Sequence, residues 1–588
     1  MRFSLHCWLR LAALALASCA AAVALAALPV VPGEPSKTPK DAAGAPVLRL
    51  GGARAPRVVL PQLEESELQT VREANQRTPL KRLAIGVARS IPVGAPAAAA
   101  GLKWTPVDGG YAARIEVNSP QAGALRVALD LAGVPGDVEM VAFGSDDPAR
   151  LAGPVRVADI PDRTAPWWSP ITDGETQTIE FFVPRGVDPA SLGLKATAAS
   201  HLFTNLSSGL AKRVSEIGLS ASCNVDVKCS SLASSQAFLN ARNAVAQMVL
   251  VDTGVTYLCT GTLLNDTDPA TQTPWFYTAN HCFDNEKTPL KTPAQMQAVA
   301  STLNTLWFFE AAACGSRLAP NFTQLATGAQ FIFNSPGADS LLVKLNSAAP
   351  SGAFFSGWDP NGLPINSPVI AITHPQGDLK KVSQGTVIAF GRPPVVGGAI
   401  TQFSEVTYSS GSSEAGSSGG GAWTYDGIQY LLRGALWGGS ASCTSPGGTD
   451  FYSRFDATYA QVSAYLAPAP TSSTDFTDMW WNPNESGWGL NLVQHPSRTI
   501  FAVWYTYGTD GKRTWYHMPT GSWTSTNTYT GTLFATSGAA ANAPFDPATV
   551  VRTPVGNGTL TFSDGNNGTW TFSVNGSSAT KAITRLVY

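Results

Sequence analysis

The chain has 588 residues, too many for one hydrophobic core, so its length predicts three or four domains. Only 14% of residues are charged and the net charge is −2, which excludes a basic field for nucleic acid and an acidic disordered tail. At the N-terminus, Arg2 and Arg10 precede an almost pure Leu/Ala run to Leu28, the pattern of an export signal over residues 1–28. Ala24-Leu25-Ala26 offers a small-x-small processing site. Leu16-Ala17-Ser18-Cys19 offers an alternative, a lipobox in which Cys19 carries a lipid anchor. The Pro-rich stretch that follows argues against a retained membrane helix.

Residues 29–100 read as linker plus one short helix. Pro, Ala and Gly dominate up to about 60; then Leu68, Val71 and Ala74 recur at helical spacing between Glu64 and Arg77, with Pro79 as the stop. Residues 101–217 alternate apolar and polar positions in short runs, such as Ala113-Ile115-Val117 against Ala112-Arg114-Glu116, and predict an antiparallel β-sandwich. The pair Trp167-Trp168 is expected to pack in its core, and the lone His201 to be a packed or surface residue. Such a domain would be a propeptide that assists folding and blocks a site, or a surface-binding module. Residues 218–467 again hold short strands, including 248–251, 275–279, 341–345 and 369–372, and predict a pair of small β-barrels closed by a helix over 456–466. After a linker at 468–474, residues 475–588 carry seven of the 16 tryptophans on alternating strands. This marks an all-β module whose Trp residues pack in a core or stack on glycan. The fold class is therefore all-β, and a monomer is expected.

Chemistry gathers in 218–467. Two of the eight cysteines lie in the leader; the other six, Cys223, Cys229, Cys259, Cys282, Cys314 and Cys443, all fall here and predict three disulfides of an exported protein, with pairing left open by spacing. Ser418 lies in Gly416-Ser417-Ser418-Gly419-Gly420-Gly421, a run that alone reads as a flexible linker. His281 and Asp339 precede it, giving the His, Asp, Ser chain order of the chymotrypsin-like triad. Histidine titrates near neutrality and suits a general base, the carboxylate would orient its ring, and the tight turn would aim the N–H groups of Gly416 and Ser418 at an oxyanion.

With those residues in view, 218–466 resembles the bacterial lysyl endopeptidases, a branch of the chymotrypsin-like serine proteases. The matching stretches include Gly218 to Cys229, Cys259-Thr260-Gly261-Thr262-Leu263, Thr278-Ala279-Asn280-His281-Cys282, Asp339-Ser340-Leu341-Leu342, Gly357-Trp358-Asp359, His374-Pro375, Glu414 to Gly419 and Asp450 to Arg454. The resemblance implies a double β-barrel and the pairs Cys223–Cys443, Cys229–Cys314 and Cys259–Cys282. It also implies a triad of His281, Asp339 and Ser418, with Ser418 rather than Ser417 as nucleophile, and Asp450 at the base of a pocket for a basic side chain. A buried carboxylate without an internal partner agrees with that role. Trp437 and Gly438 would form the wall on which a substrate backbone lies. The family has His where Trp437 stands and Trp where Phe390 stands, a stacked pair that shapes lysine preference; here the pair would be Phe and Trp, leaving strict Lys and broader Lys/Arg cleavage open. Glu216-Ile217 precedes the family-like mature start, so processing after a basic residue would fall instead at Lys212-Arg213. The resemblance implies a secreted zymogen with polypeptide substrates and no metal or organic cofactor. Trp480 to Gly489 resembles a module at the ends of secreted bacterial proteins, with no role implied. The competing reading is a non-catalytic adhesin that uses the barrels as scaffold.

Overall fold

The computed structural model describes residues 28–586 apart from 29, 41–43, 53–54, 77–79, 93–94, 96, 206–218, 269–270, 285–288, 318, 320–321, 392, 394–402, 468–473, 496–498, 541 and 544. The leader, Lys212-Arg213 and most of the 468–474 linker therefore lie outside the described residues. Between Arg57 and Leu202 the alternating runs form strands in two layers. One sheet orders Arg57–Val59, Gly110–Asn118, Thr176–Pro184, Glu139–Gly144 and Ala152–Arg156, with Thr105–Val107 paired to Gly110–Asn118. The other contains Thr172–Asp173, Ala124–Asp130, Lys195–Leu202 and Leu83–Ser90, with Trp167–Trp168 on Ala124–Asp130. Ala113, Ile115, Val117, Val127, Leu129 and Phe181 fill the space between them. Trp167 and Trp168 are buried as expected, and His201 is packed rather than on the surface, its Nδ1 2.8 Å from Ser119 Oγ.

The stretch expected to be linker and helix holds more. The helix Glu65–Gln76 buries Leu68 and Val71, as its spacing predicts. Beyond it, however, Leu83–Ser90 is a strand whose first five residues are all buried. It pairs on one side with Lys195–Leu202 and on the other with Val255–Leu264, so one sheet runs from the N-terminal sandwich into the next unit. With both strand edges and both faces covered, the run shows no polar alternation to announce it. Further upstream, Val31 bridges to Trp358 and Glu34–Pro35 pairs with Phe354–Phe355, so this Pro-rich segment is extended but docked. Arg126, wholly buried, crosses the same junction and donates to the carbonyls of Val249 and Thr302; burial pulls its pKa down to about 9.

Residues 219–467 form two antiparallel barrels. In the first, Val245–Asp252, Val255–Leu264, Trp275–Thr278, Ser340–Leu345 and Ala329–Ser335 curl round Met248, Leu263, Phe276, Trp307 and Val343. In the second, Lys381–Gly391, Pro368–Thr373, Gly421–Tyr425, Tyr430–Gly439, Thr449–Ser453 and Phe403–Ser410 follow one another, and the last pairs back to the first. Tyr277, Leu342, Ile372, Trp423 and Leu432 pack between the barrels, and the helix Phe455–Leu466 seals that seam with Phe455, Tyr459, Val462 and Leu466. The three disulfides join Cys223 to Cys443, Cys229 to Cys314 and Cys259 to Cys282.

From Asp478 to Arg585 nine antiparallel strands make up one sheet, and the His517↔Phe534 pairing closes it into a ring. Trp480, Trp504 and Trp570 are core residues of that ring, whereas Trp515 is 46% exposed. Among the described residues no helix is long and apolar enough to cross a membrane.

Candidate active site

Three backbone devices deliver three side chains to the cleft between the barrels. The strand Trp275–Thr278 ends in a one-turn helix, Asn280–Cys282, whose last residue is tied by the Cys259–Cys282 disulfide. His281 sits on that pinned turn. Another short turn, Pro336–Ala338, leaves Asp339 in the left-handed region (φ 49°) just before the strand Ser340–Leu345. This conformation is uncommon outside Gly, Asn and Asp, and it turns the carboxylate back toward His281. Asp339 Oδ1 accepts from the His281 backbone N–H at 2.8 Å, and Oδ2 lies 2.8 Å from Nδ1. On its far side, His281 Nε2 lies 2.6 Å from Ser418 Oγ. All three residues are fully buried. The structure thus brings His281, Asp339 and Ser418 into one line of hydrogen bonds. Ser417 points elsewhere, donating to Thr373 Oγ1 at 3.2 Å.

The turn that carries Ser418 depends on two glycines with positive φ, Gly416 (95°) and Gly419 (77°). A Cβ on Gly416 would lie 2.6 Å from the His374 carbonyl, and one on Gly419 would lie 1.9 Å from Thr278 Oγ1 and 2.3 Å from the Thr260 carbonyl. Gly419→Ala is therefore expected to destabilise the protein by about 3 kcal/mol or more, combining overpacking with left-handed strain. Denaturant unfolding checks this, and a wild-type midpoint would show that the loop has room to give. The N–H groups of Gly416 and Ser418 converge on a single acceptor, the backbone carbonyl of Lys81, the second at 3.3 Å.

Asp450 is fully buried on the strand Thr449–Ser453, against Ser413 of the loop that leads to Ser418. Its Oδ2 accepts from Tyr408 Oη at 2.9 Å and from Ser413 Oγ, and its Oδ1 lies 2.6 Å from Lys81 Nζ. Tyr408 Oη in turn lies 2.6 Å from Tyr452 Oη. Burial, and then the Asp450 charge, push the Tyr408 phenol well above its usual range, so it stays a hydrogen-bond donor. Tyr408, Ser413 and Lys81 were not singled out from the sequence: each is an isolated polar residue in a strand or loop, with no motif to mark it, while Tyr452 lies in the matching Asp450 to Arg454 stretch but carried no role there.

The predicted pocket wall divides. Gly438 forms an antiparallel bridge with Leu80, and Trp437 packs with Phe403, Leu80 and Phe451. Phe390 packs against a separate cluster that includes Val387 and Val406, with the Arg454 guanidinium 4.8 Å from its ring centroid. The expected Phe390–Trp437 stack is thus replaced by two separate contacts. Trp437 takes Phe451 as its ring neighbour, 6.3 Å away and nearly perpendicular, because Thr449–Ser453 runs alongside Tyr430–Gly439.

Behind the Ser418 loop, His374 is fully buried with its backbone N–H on Thr260 Oγ1 and Nδ1 3.1 Å from the Asp378 carbonyl. Burial, and then the Lys380 charge, hold its pKa well below the usual 6.5. The native state therefore keeps this ring neutral where the unfolded chain protonates it. Its contribution to stability is complete above pH 6.5 and is lost as the pH falls from there toward the native pKa. The drop in unfolding midpoint between pH 7.5 and pH 5 is expected to be smaller in His374→Gln than in wild type; equal drops would rule this residue out as a source.

Two family models match the chain: "Lysyl endopeptidase N-terminal domain" over residues 59–203 and "Lysyl endopeptidase, C-terminal domain" over residues 217–453. A lysyl endopeptidase of Pseudomonas aeruginosa is 34% identical over 382 residues, covering 62% of this chain and 78% of that one. Aligned solved structures include the MamO protease domain of Magnetospirillum magneticum (15% identity, 38% of this chain and 97% of that one, TM-score 0.26). Another is the inactive form of Rv3671c from M. tuberculosis (12%, 42% and 98%, TM-score 0.27).

Proposed function

We propose that this chain, which belongs to the lysyl endopeptidase family and is a serine endopeptidase, cleaves polypeptides after basic residues with Ser418 as nucleophile, His281 as general base and Asp339 as the residue that orients His281. The observation that carries this reading is the buried sequence of contacts from Ser418 Oγ to His281 Nε2 and from His281 Nδ1 to Asp339. His281 would take the Ser418 proton as Oγ attacks the scissile carbonyl, while Asp339 holds Nδ1–H and stabilises the imidazolium. The developing oxyanion would rest on the N–H groups of Gly416 and Ser418, whose convergence on one carbonyl oxygen supports the assignment. His281 would then pass its proton to the leaving amine, and water would release the acyl group by the same steps in reverse. Asp450 would select a Lys or Arg side chain, with Tyr408 and Ser413 satisfying the oxygen the substrate does not reach. Trp437 and Gly438 would line the path of the substrate backbone, and Phe390 would support the pocket from behind through the Val387 and Val406 cluster it packs against.

Hydrolysis of lysyl, arginyl and leucyl anilides by the full chain, incubated until its activity stops rising, and by Ser418→Ala treated alike tests the reading. Loss of basic-residue cleavage in the variant supports it; equal rates in the two proteins sink it. Export is part of the same proposal, supported by the three disulfides. So are a division into N-terminal sandwich, protease barrels and C-terminal ring, and a monomeric state. For the C-terminal ring we propose contact with a surface glycan. Its outward face presents Phe501, Tyr505, Tyr507 and Trp515 on two adjacent strands, with Tyr505 directly opposite Trp515. Tyr505→Ala with Trp515→Ala is expected to release the protein from insoluble cell-wall glycan in a sedimentation assay; undiminished retention would remove that role.

A further inference from the structure

Residues 80–82 lie in the cleft as a substrate would. Lys81 extends into the Asp450 pocket, where Nζ is 2.6 Å from Asp450 Oδ1 and 2.8 Å from the Ala441 carbonyl, and also meets Ser413 Oγ. The carbonyl of the same residue accepts from the N–H groups of both Gly416 and Ser418. Leu80, one residue earlier, makes the antiparallel bridge to Gly438 and packs on Trp437. Side-chain pocket, oxyanion donors and backbone-pairing wall are thus all engaged by two consecutive residues. A basic side chain captured by chance would satisfy the first of these and not the other two.

The far side of the bond is held just as firmly. Arg82 donates to the His281 carbonyl at 3.2 Å and to Asp252 Oδ2 at 2.9 Å, and its guanidinium carbon lies 3.4 Å from the centroid of the Tyr257 ring. Leu83–Ser90 then continues as a full strand against Val255–Leu264.

We propose that Lys81–Arg82 is an internal substrate bond of this protease, bound in the productive direction, closing the site to other substrates in the intact chain and cut slowly by Ser418. The proposal rests on the triad assignment above. In the step itself, Ser418 Oγ bonds to the Lys81 carbonyl carbon, the Lys81–Arg82 C–N bond breaks, and the Arg82 α-nitrogen takes the proton carried by His281. Water then frees Lys81 as a carboxylate. Because Arg82 stays clamped to Asp252 and its strand stays in the sheet, the new amine remains beside the acyl carbon and rejoins it more often than water reaches it. Slow net cleavage and persistent occupancy follow from one cause, the anchoring of the leaving group. This places the bond after the first sandwich strand, Arg57–Val59, and ahead of all the others, far upstream of the Lys212-Arg213 pair considered from sequence.

The test compares purified full-length wild type, Lys81→Gln, Lys81→Arg and Ser418→Ala for labelling by a fluorophosphonate and for a new N-terminus at Arg82. Wild type should label slowly and accumulate the Arg82 N-terminus over hours. Ser418→Ala should keep the bond intact. Lys81→Gln should label at least tenfold faster than wild type, whereas Lys81→Arg, which keeps a basic group for Asp450 and guards against a folding defect in the Gln variant, should label as slowly as wild type. Lys81→Gln labelling at the wild-type rate, or Lys81→Arg labelling fast, overturns the occlusion. A Lys81–Arg82 bond that stays uncut in wild type overturns its identity as a substrate bond. Either result with Ser418→Ala unlabelled leaves the triad standing, whereas a labelled Ser418→Ala removes the triad assignment itself.

Discussion

Ser418→Ala is expected to lower kcat for a lysyl anilide by on the order of 10⁴- to 10⁶-fold while leaving the fold and the unfolding midpoint unchanged. The hydroxyl makes one contact, to His281 Nε2, so its removal costs chemistry and little packing. A sharper form of the prediction uses non-additivity. Ser418→Ala, His281→Ala and the double variant should all fall to about the same residual rate, because either loss alone ends proton transfer to and from the nucleophile. Effects that multiply in the double variant would mean the two side chains act independently, and the geometry between them would then have no catalytic meaning. Residual hydrolysis above the uncatalysed rate is expected in all three, supplied by the Gly416 and Ser418 N–H groups, which none of these substitutions removes.

The second large effect belongs to Asp450. Asp450→Ser is expected to cut kcat/KM for lysyl substrates by about 2–5 kcal/mol, the range for truncating one partner of a buried charge pair, roughly 30- to 5,000-fold. Leucyl substrates, slow at the outset, should change little or improve. The magnitude rests on burial: Asp450 has no access to water, and Tyr408 and Ser413 already occupy one of its oxygens. A substrate ammonium would therefore be exchanging water for a desolvated, pre-oriented carboxylate. Measured against Lys and Arg in parallel, the variant also reports which head group the pocket favours; an unchanged Lys-to-Leu ratio would remove Asp450 as the selecting residue.

How much of this was legible beforehand depended on the kind of signal. His281, Asp339 and Ser418 could be named because each lies in a short motif, and the structure brings these three together. The helix Phe455–Leu466 was visible from Tyr459, Val462 and Leu466 at helical spacing and a proline just beyond. Tyr408 and Ser413 were not visible, since a hydroxyl that supports a carboxylate from another element has no local pattern, and Tyr452 was visible only as part of the Asp450 to Arg454 stretch, with no role. The strand Leu83–Ser90 was missed for a related reason. It is covered on every side, so its residues read as an apolar run rather than an alternation, and Leu83-Ala84-Ile85-Gly86-Val87 bounded by charged Lys81-Arg82 was the only hint. Phe390 shows the converse. Its position on Lys381–Gly391 could be assigned, but which ring it would meet depended on how Thr449–Ser453 aligned against two neighbours at once.

The sheet shared between sandwich and barrel has a consequence for solubility. Val255–Leu264 is paired along its later residues with Trp275–Thr278, but opposite Val255, Thr256, Tyr257 and Leu258 the neighbour is Leu83–Ser90. Any form of the protein that loses the N-terminal segment turns those four residues into an open edge, with unpaired backbone donors and acceptors flanked by apolar side chains. Such an edge invites pairing with another chain. The freed protease would then carry its own tendency to aggregate, concentrated at one short stretch, and a charged residue at Tyr257 would be the simplest guard against it.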